Sequence, residues 1–363
     1  GIGMSGLARI CLERGCRVQG SDAKKNDMTE DLAGRGATVF IGHQASQVEG
    51  ADIVVYSSAI SPDHLERAEA VKRGIPAIHR SEALAELCEG RSLIAVTGTH
   101  GKTTTTALLG MILKEAKLDP TVVVGGWVAD FGGNTLSGSG PHMVIEADES
   151  DGSFVRYSPN IALITNIEEE HLDHFGSIRE ITKAYEAFLR QMSGPALWFG
   201  CAEDARVLEL AKIIPPAKLY ALRSLEKGIW AGHVQECPEG KIGASFEVWD
   251  AKTKLGTVTT RLMGRHNVLN ALGALAAAQA LGIDFSVIAA ALKKYGGAGR
   301  RFDVKYDDGS TLVVDDYAHH PTEIARTLEA ARGLGKDRIV ALFQPHRFSR
   351  TELLMGSFGT SFA

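Results

Sequence analysis

SLIAVTGTHGKTTTTALLGMILKEA, residues 92–116, opens as an apolar run, passes through a loop with two glycines, and continues in a helical pattern. A short unbroken apolar run bounded by a turn suits a strand buried on both faces. Strand, glycine-bearing loop and helix in that order gather backbone N–H groups and a helix N-terminus around one point, an arrangement suited to phosphate. Lys102 is then expected at the β- and γ-phosphates and the Thr103 hydroxyl at Mg2+. The spacing departs from G-x-x-x-x-G-K-[ST], because Val96 stands where the first glycine belongs and Gly98 lies only three residues before Gly101. The loop is a shorter variant, and an ordinary strand-to-helix turn is its bland alternative.

Two acidic clusters also end apolar runs. EADESD, residues 146–151, follows HMVI, and NIEEEH, residues 166–171, follows NIALIT. Ligands of open parallel sheets bind beyond the carboxyl ends of the strands, so both clusters could face the phosphate loop. Carboxylates with an imidazole suit a hard divalent cation carried by a nucleotide, although each cluster alone reads as a solvated turn. In GRHNVLNALGA, from Gly264, His266 and Asn267 either cap an apolar helix, the reading periodicity favours, or meet an adenine edge. GAGRRFD and DDYAHHP stay undecided between solvent-facing or helix-start residues and functional ones.

Outward from the loop, short apolar runs alternate with helical stretches, the mark of β-α-β units on a parallel sheet. GIGMSG, residues 1–6, fits the G-x-G-x-x-G turn through Gly1, Gly3 and Gly6, with Asp22 of GSD about where such a unit keeps its ribose-binding acid. A helix is expected after this motif, then strands in CRVQG, ATVFIG, ADIVVYSSAI and IPAIHR. These make a Rossmann-like unit over residues 1–89, with its first strand expected before Gly1. A central unit over 90–301 adds strands in PTVVVGG, HMVIEADES, NIALITNIE and residues 241–262, a helix near Ile178 to Met192, and an Ala-rich helix from Asn267. In a third, partial unit over 302–363, β-α alternation begins with DRIVALFQPHRFSRT. The fold class is α/β.

With 363 residues, two or three domains are expected. The net charge of -5 argues against nucleic-acid or anionic-membrane binding, which need an excess of Lys and Arg on one face. Cys11, Cys16, Cys88, Cys201 and Cys237 are scattered and odd in number, which suggests a reducing cytosol and no metal-thiolate site. An NAD-dependent oxidoreductase would rest on GIGMSG and Asp22 alone and leave GTHGKTTTT without a role.

Read in order, GIGMSG, GSD, YSSAI, GTHGKTTTT, EADESDGSF, TNIEEEHLDHF, GRHNVLNA, GAGRRF, DDYAHHPTE and FQPHRFSRT resemble the Mur ligases of peptidoglycan synthesis, from Gly1 to about Thr351. The resemblance implies a UDP-sugar domain, a central P-loop ATPase domain and a Rossmann-like C-terminal domain that brings the amino acid. FQPHRFSRT and NIEEEHLDHF are more similar to the alanine-adding branch than to the ligase that recycles a tripeptide onto the same sugar. The implied reaction joins L-alanine to the lactyl carboxylate of UDP-N-acetylmuramate in the cytoplasm, with ATP and Mg2+.

The resemblance also implies roles residue by residue. Thr99, Gly101, Lys102, Thr103 and Thr104 would cradle the triphosphate, with Thr103, Glu146 and His171 on magnesium. His266, Asn267 and Asn270 would lie near adenine, and Arg300 would reach the γ-phosphate; Lys102, His171 and Arg300 would serve the reaction itself. Gly3, Ser5, Ser21, Asp22, Ser58 and Ala59 would line the UDP-sugar site, and His319, His320, His346 and Arg347 the alanine pocket. Relatives in which a carbamylated lysine lies near the magnesium leave Lys183 as the candidate here. Family members continue beyond the third-domain stretch present in this sequence, so a nucleotide-binding fragment without turnover is a further reading.

Overall fold

The computed structural model describes residues 1–194, 196–236 and 242–363; Cys237 and residue 241, the first of the expected strand run, lie outside the described residues. Four short N-terminal strands, β1 (Gln19–Asp22), β2 (Thr38–Ile41), β3 (Val54–Tyr56) and β4 (Ala77–His79), form two parallel pairs, β1 with β2 and β3 with β4. The helix expected after GIGMSG instead begins inside it: Gly1 is the N-cap of the helix Ile2–Glu13. Gly3 and Gly6 therefore lie in its first two turns. A side-chain carbon at Gly6 would fall 2.6 Å from Asn134 Nδ2, so the last glycine of the motif lets this helix press on the central unit.

The central unit is one ten-stranded sheet. Its members are β5 (Ser92–Thr97), β6 (Thr121–Val128), β7 (Gly133–Leu136), β8 (His142–Glu146), β9 (Ile161–Ile164), β10 (Leu197–Cys201), β11 (Ala217–Ala221), β12 (Ile229–Glu236), β13 (Ala244–Asp250) and β14 (Thr253–Thr260). They run in the order β14-β13-β12-β11-β10-β9-β5-β8-β6-β7, parallel from β12 to β6 and antiparallel at both edges. The quoted apolar run is β5, near the middle and buried on both faces because helices cover both sides. Alternation along it divides the core. Ile94 and Val96 join the layer under the helices Lys102–Glu115, Arg265–Ala280 and Phe285–Lys294. Leu93 and Ala95 join the opposite layer, with Tyr185, Phe188 and Leu189 and with Leu7, Ile10 and Leu84 from the N-terminal unit.

After the sheet, β15 (Asp303–Asp307) and β16 (Leu312–Asp315) pair antiparallel and the helix Pro321–Arg332 follows. The strand expected in DRIVALF is not formed: residues 338–347 carry no regular structure, Val340 is 75% exposed and Leu342 fully so. A strand exists through ladder bonds to a neighbour, and no described strand lies beside this run. Among the described residues no helix is long and apolar enough to cross a membrane.

Candidate active site

The loop after β5 is fixed by glycine geometry and by the next strand. Gly98 has φ 131° and Gly101 φ 84°, where an added Cβ would meet Thr165 Oγ1 at 2.0 Å and Asn270 Oδ1 at 2.4 Å. Only glycine occupies such positions without strain. Asn166, just past β9, holds the loop from outside: its carbonyl accepts Thr99 N–H at 3.0 Å, its Oδ1 accepts His100 N–H at 2.8 Å, and its Nδ2 donates to His100 O at 3.0 Å. Asn166 carries no motif of its own, and its place just past a strand end beside the loop is the one signal of this role in the sequence.

Lys102 opens the helix Lys102–Glu115. Its Nζ donates to the carbonyls of Gly98 at 2.6 Å and Thr99 at 3.1 Å and to Glu149 Oε1 at 2.9 Å. Burial alone would lower the Lys102 pKa, but Glu149 and Asp148 outweigh it and the net direction is upward. Glu149, 3% exposed, is pushed up to about 7 by burial, which the nearby ammonium only partly offsets. Thr103 Oγ1 donates to Glu146 Oε1 at 3.0 Å, and Glu146 Oε2 accepts Gly125 N–H at 2.6 Å. A hydroxyl and a fixed carboxylate this close form a hard oxygen pair suited to Mg2+. His171 stands 4.0 Å from Glu149 in the left-handed region at φ 55°, and burial lowers its pKa, which keeps a neutral nitrogen available. Positive φ in a non-glycine residue is strain of the kind found at functional positions.

Lys102, Thr103 and Glu146 floor a cleft open to solvent; Glu149 and His171 do not line it, and His171 borders a separate hollow. Thr99, Gly101, Lys102, Thr103, Thr104, Glu146, His266, Asn267 and Asn270 all line the cleft. His266 and Asn267 are not caps, however: the N-cap is Gly264 and the two lie within the first turn. Asn267 Nδ2 donates to Met263 O at 2.7 Å and its Oδ1 accepts from Asn270 Nδ2 at 3.0 Å. Burial, with Arg326 and Arg301 nearby, lowers the His266 pKa to about 4, so the ring is neutral.

Arg300 does not line the cleft; its neighbour Arg301 does. Arg300 pairs with Asp315 at 3.5 Å and lies over the Tyr317 ring, whereas Arg301 Nη1 reaches Glu323 at 3.4 Å. Both guanidinium groups lie near the Tyr317 ring, yet only Arg301 lines the cleft, and sequence could not say which faces inward. Lys183 is likewise apart, on a helix surface with Glu180 at 2.7 Å and its side chain 55% exposed.

The 166–171 stretch is gripped by the C-terminal unit. His100 Nδ1 faces Glu323 at 3.3 Å and its Nε2 faces Glu168 at 3.4 Å, while Thr322 Oγ1 donates to Glu168 Oε2 at 2.7 Å. Arg350 Nε donates to Glu170 Oε1 at 2.9 Å, and Arg347 Nη1 stands 3.5 Å from His171 Nδ1. Arg347 and Arg350 line a second hollow beside His171. His319 and His346 rings approach at 6.5 Å, but His320 serves the helix Pro321–Arg332, where its Nδ1 accepts Thr322 N–H at 3.3 Å.

In the N-terminal unit Ser21 Oγ donates to Glu66 Oε1 at 2.6 Å beside His43, and Asp22 stands 3.6 Å from the Gly1 amine. Ser5 is buried and spends its hydroxyl on Ile2 O at 2.8 Å. Ser58, in an exposed turn with Ala59, donates to Asp151 Oδ2 at 2.8 Å and lies 3.0 Å from His79 Nε2. The turn thus touches the EADESD loop of the central unit.

Family models match along the chain: "Mur ligase family, catalytic domain" over residues 1–92, "Mur ligase middle domain" over 96–278 and "Mur ligase, glutamate ligase domain" over 300–363. The chain belongs to the Mur ligase family. This Mur ligase is 44% identical over 363 residues to the UDP-N-acetylmuramate–L-alanine ligase of Gloeobacter violaceus, covering all of this chain and 77% of that protein. It is also 44% identical over 365 residues to the ligase of the same name from Desulforamulus reducens, covering 100% of this chain and 78% of that one. Among solved structures, the UDP-N-acetylmuramate–alanine ligase of Thermotoga maritima matches with a TM-score of 0.85 and 31% identity, over 99% of this chain and 80% of that one. A Neisseria ligase for UDP-N-acetylmuramate and L-alanyl-γ-D-glutamyl-meso-diaminopimelate matches at 0.74 and 29%, over 82% of this Mur ligase and 96% of that chain.

Proposed function

We propose that the chain is an ATP-dependent ligase joining L-alanine to the lactyl carboxylate of UDP-N-acetylmuramate, a step toward peptidoglycan, in the cytoplasm where both nucleotides occur. The observation that carries this reading is whole-chain identity of 44% to ligases bearing that name. The cleft supplies the chemistry. A carboxylate repels nucleophiles and hydroxide leaves poorly, so a carboxylate oxygen first takes the terminal phosphoryl group of ATP, giving ADP and an acyl phosphate. The alanine ammonium loses one proton to become the free amine, which attacks the acyl carbon; the C–O bond to phosphate breaks, phosphate leaves, and the nitrogen releases one further proton to solvent, keeping one as the amide N–H.

Lys102 and Arg301 provide positive charge where the transferring phosphoryl group spreads its negative charge. Thr103 and Glu146, with His171, would hold Mg2+, which when bound neutralises phosphate charge. His266, Asn267 and Asn270 bound the side of the cleft where adenine would lie, and the neutral His266 ring suits a base edge. The N-terminal unit would take the UDP-sugar, Ser58 bringing its end toward the EADESD loop. The hollow between His171 and Arg347 would admit L-alanine.

ADP release tests the reading, measured with UDP-N-acetylmuramate and a panel of L-alanine, other amino acids and the tripeptide. Release that needs both the sugar and L-alanine supports it. Preference for the tripeptide would make the chain a recycling ligase, and nucleotide binding without release would make it a binding fragment.

A further inference from the structure

We infer that Glu323 is a positioning residue for phosphoryl transfer, holding Arg301 in the cleft only while the C-terminal unit is docked on the phosphate loop; the inference rests on the reaction proposed above. A carboxylate in the wall of a cleft that takes a triphosphate works against binding unless its charge is engaged locally. Glu323 lines that wall, and its side chain is 12% exposed. Burial would raise its pKa, but His100, Arg301 and His319 outweigh this and hold it well below the usual carboxylate range, so the group is ionised.

The two oxygens of Glu323 have separate partners. Oε2 accepts the N–H groups of His319 at 3.0 Å and His320 at 3.4 Å, the reciprocal half of the capping box that starts the helix Pro321–Arg332. Oε1 stands 3.3 Å from His100 Nδ1 on the phosphate loop and 3.4 Å from Arg301 Nη1. A neutral glutamine would serve the cap as well. The negative charge therefore has its use at Oε1, between the loop and the arginine.

The main chain of Arg301 is fixed from the same side. Arg300 at φ 58° and Phe302 at φ 50° are both left-handed, and such strain persists only where the surroundings impose it. Here Asp316 Oδ2 accepts Phe302 N–H at 2.7 Å, and Tyr317 N–H donates to Arg300 O at 2.8 Å. DDYAHHPTE, residues 315–323, thus grips the backbone on either side of Arg301 and, through its last residue, the guanidinium itself. His100 is anchored to the central unit, its carbonyl accepting from Thr165 Oγ1 at 2.6 Å and Asn166 Nδ2 at 3.0 Å. A shift of the helix Pro321–Arg332 away from His100 would carry Glu323 with it and take Arg301 from the place where phosphoryl charge spreads.

The test is ADP release with UDP-N-acetylmuramate and L-alanine, beside calorimetric binding of ADP and thermal melting, for wild type, Glu323→Gln, Glu323→Asp, Arg301→Ala and the Glu323→Gln/Arg301→Ala double variant. Glu323→Gln is expected to lower kcat about 10- to 100-fold, since misplacing a group by about 1 Å costs up to about 100-fold, while KM for the sugar and the affinity for ADP stay as in wild type. Glu323→Asp, which keeps the charge on a shorter stem, should lose less. The double variant should be no slower than Arg301→Ala, because Glu323 acts through that arginine. Unchanged kcat in both Glu323 variants, or a double variant slowed by the product of the two single losses, makes Glu323 a capping residue only and leaves the reaction intact. A Glu323→Gln chain that fails to fold while Glu323→Asp turns over as wild type does the same. A wild-type chain that releases no ADP removes the proposed reaction and this inference together.

Discussion

Lys102, in the floor of the cleft, meets the buried Glu149 with Nζ 2.9 Å from Oε1, a cation held between two loop carbonyls and a carboxyl that burial lifts to about 7. Removing Lys102 should cost turnover far more than stability. Near neutral pH Glu149 can take up a proton, so Lys102→Ala leaves no obligatory buried charge of the kind that unfolds proteins. Loss of one preorganised charge-stabilising group typically lowers rate about 100- to 1,000-fold. ADP release beside thermal melting checks this. A variant that melts early but turns over normally would make the lysine a structural residue.

The two loop glycines differ in what surrounds them, and substitution should separate them. At Gly98 an alanine methyl would fall 2.0 Å from Thr165 Oγ1 and 3.0 Å from the Asn166 backbone, which cannot yield. At Gly101 the obstacle is the Asn270 side chain, 2.4 Å away and able to swing. Gly98→Ala should therefore lower the melting temperature more, by a destabilisation of at least about 1–3 kcal/mol for the strained backbone alone. Gly101→Ala should instead weaken ATP binding, since it moves Asn270 within the cleft.

The contact between the central and C-terminal units should be sensitive to acid. Burial would raise the Glu168 pKa, but His100 and Thr322 outweigh it and bring it down to about 2 from 4.5. A carboxyl with a depressed folded-state pKa adds stability that is present above its unfolded pKa and is lost as pH falls through the folded one. Wild type should lose stability between about pH 4.5 and 2, and Glu168→Gln should be less stable at pH 7 and shallower across that window. Thermal melting against pH reads this directly, and parallel curves for the two proteins would count against the linkage.

Legibility in the sequence followed how local each feature is. β5, its loop and Lys102 are contiguous, so a change of hydrophobic period and two glycines were enough to locate them. Glu146 and His171 could be nominated because strand ends in a parallel sheet converge. Arg300 and Arg301 could not be ordered, since which of two adjacent arginines turns inward depends on a backbone at φ 58° set by tertiary contacts. The helix beginning at Ile2 and the unformed strand in DRIVALF have the same origin. Each pattern suits more than one conformation, and its neighbours decide. Asn166 is hidden because its partner, His100, lies 66 residues away.

His171 offers the sharpest separation of fold from chemistry, because its backbone is strained and its side chain stands between groups of opposite charge. At φ 55° an L-residue other than glycine costs roughly 1–2 kcal/mol. His171→Gly relieves that strain while removing the imidazole, so it should melt no lower than His171→Ala. Neither variant should bind adenine less well, because His266 and Asn267 are held by Met263 and Asn270 instead. Both should raise the magnesium concentration needed for ADP release and slow acyl-phosphate formation, as should Glu146→Gln, which removes a charged oxygen beside Thr103 but keeps the side-chain size. The measurement is magnesium-dependent ADP release for wild type and the three variants, with melting of each. If His171→Gly is more stable than His171→Ala and both need more magnesium than wild type, the strained conformation is retained for the imidazole it presents. If the glycine variant keeps wild-type magnesium dependence, the histidine serves only the turn that leads into the helix Leu172–Phe175.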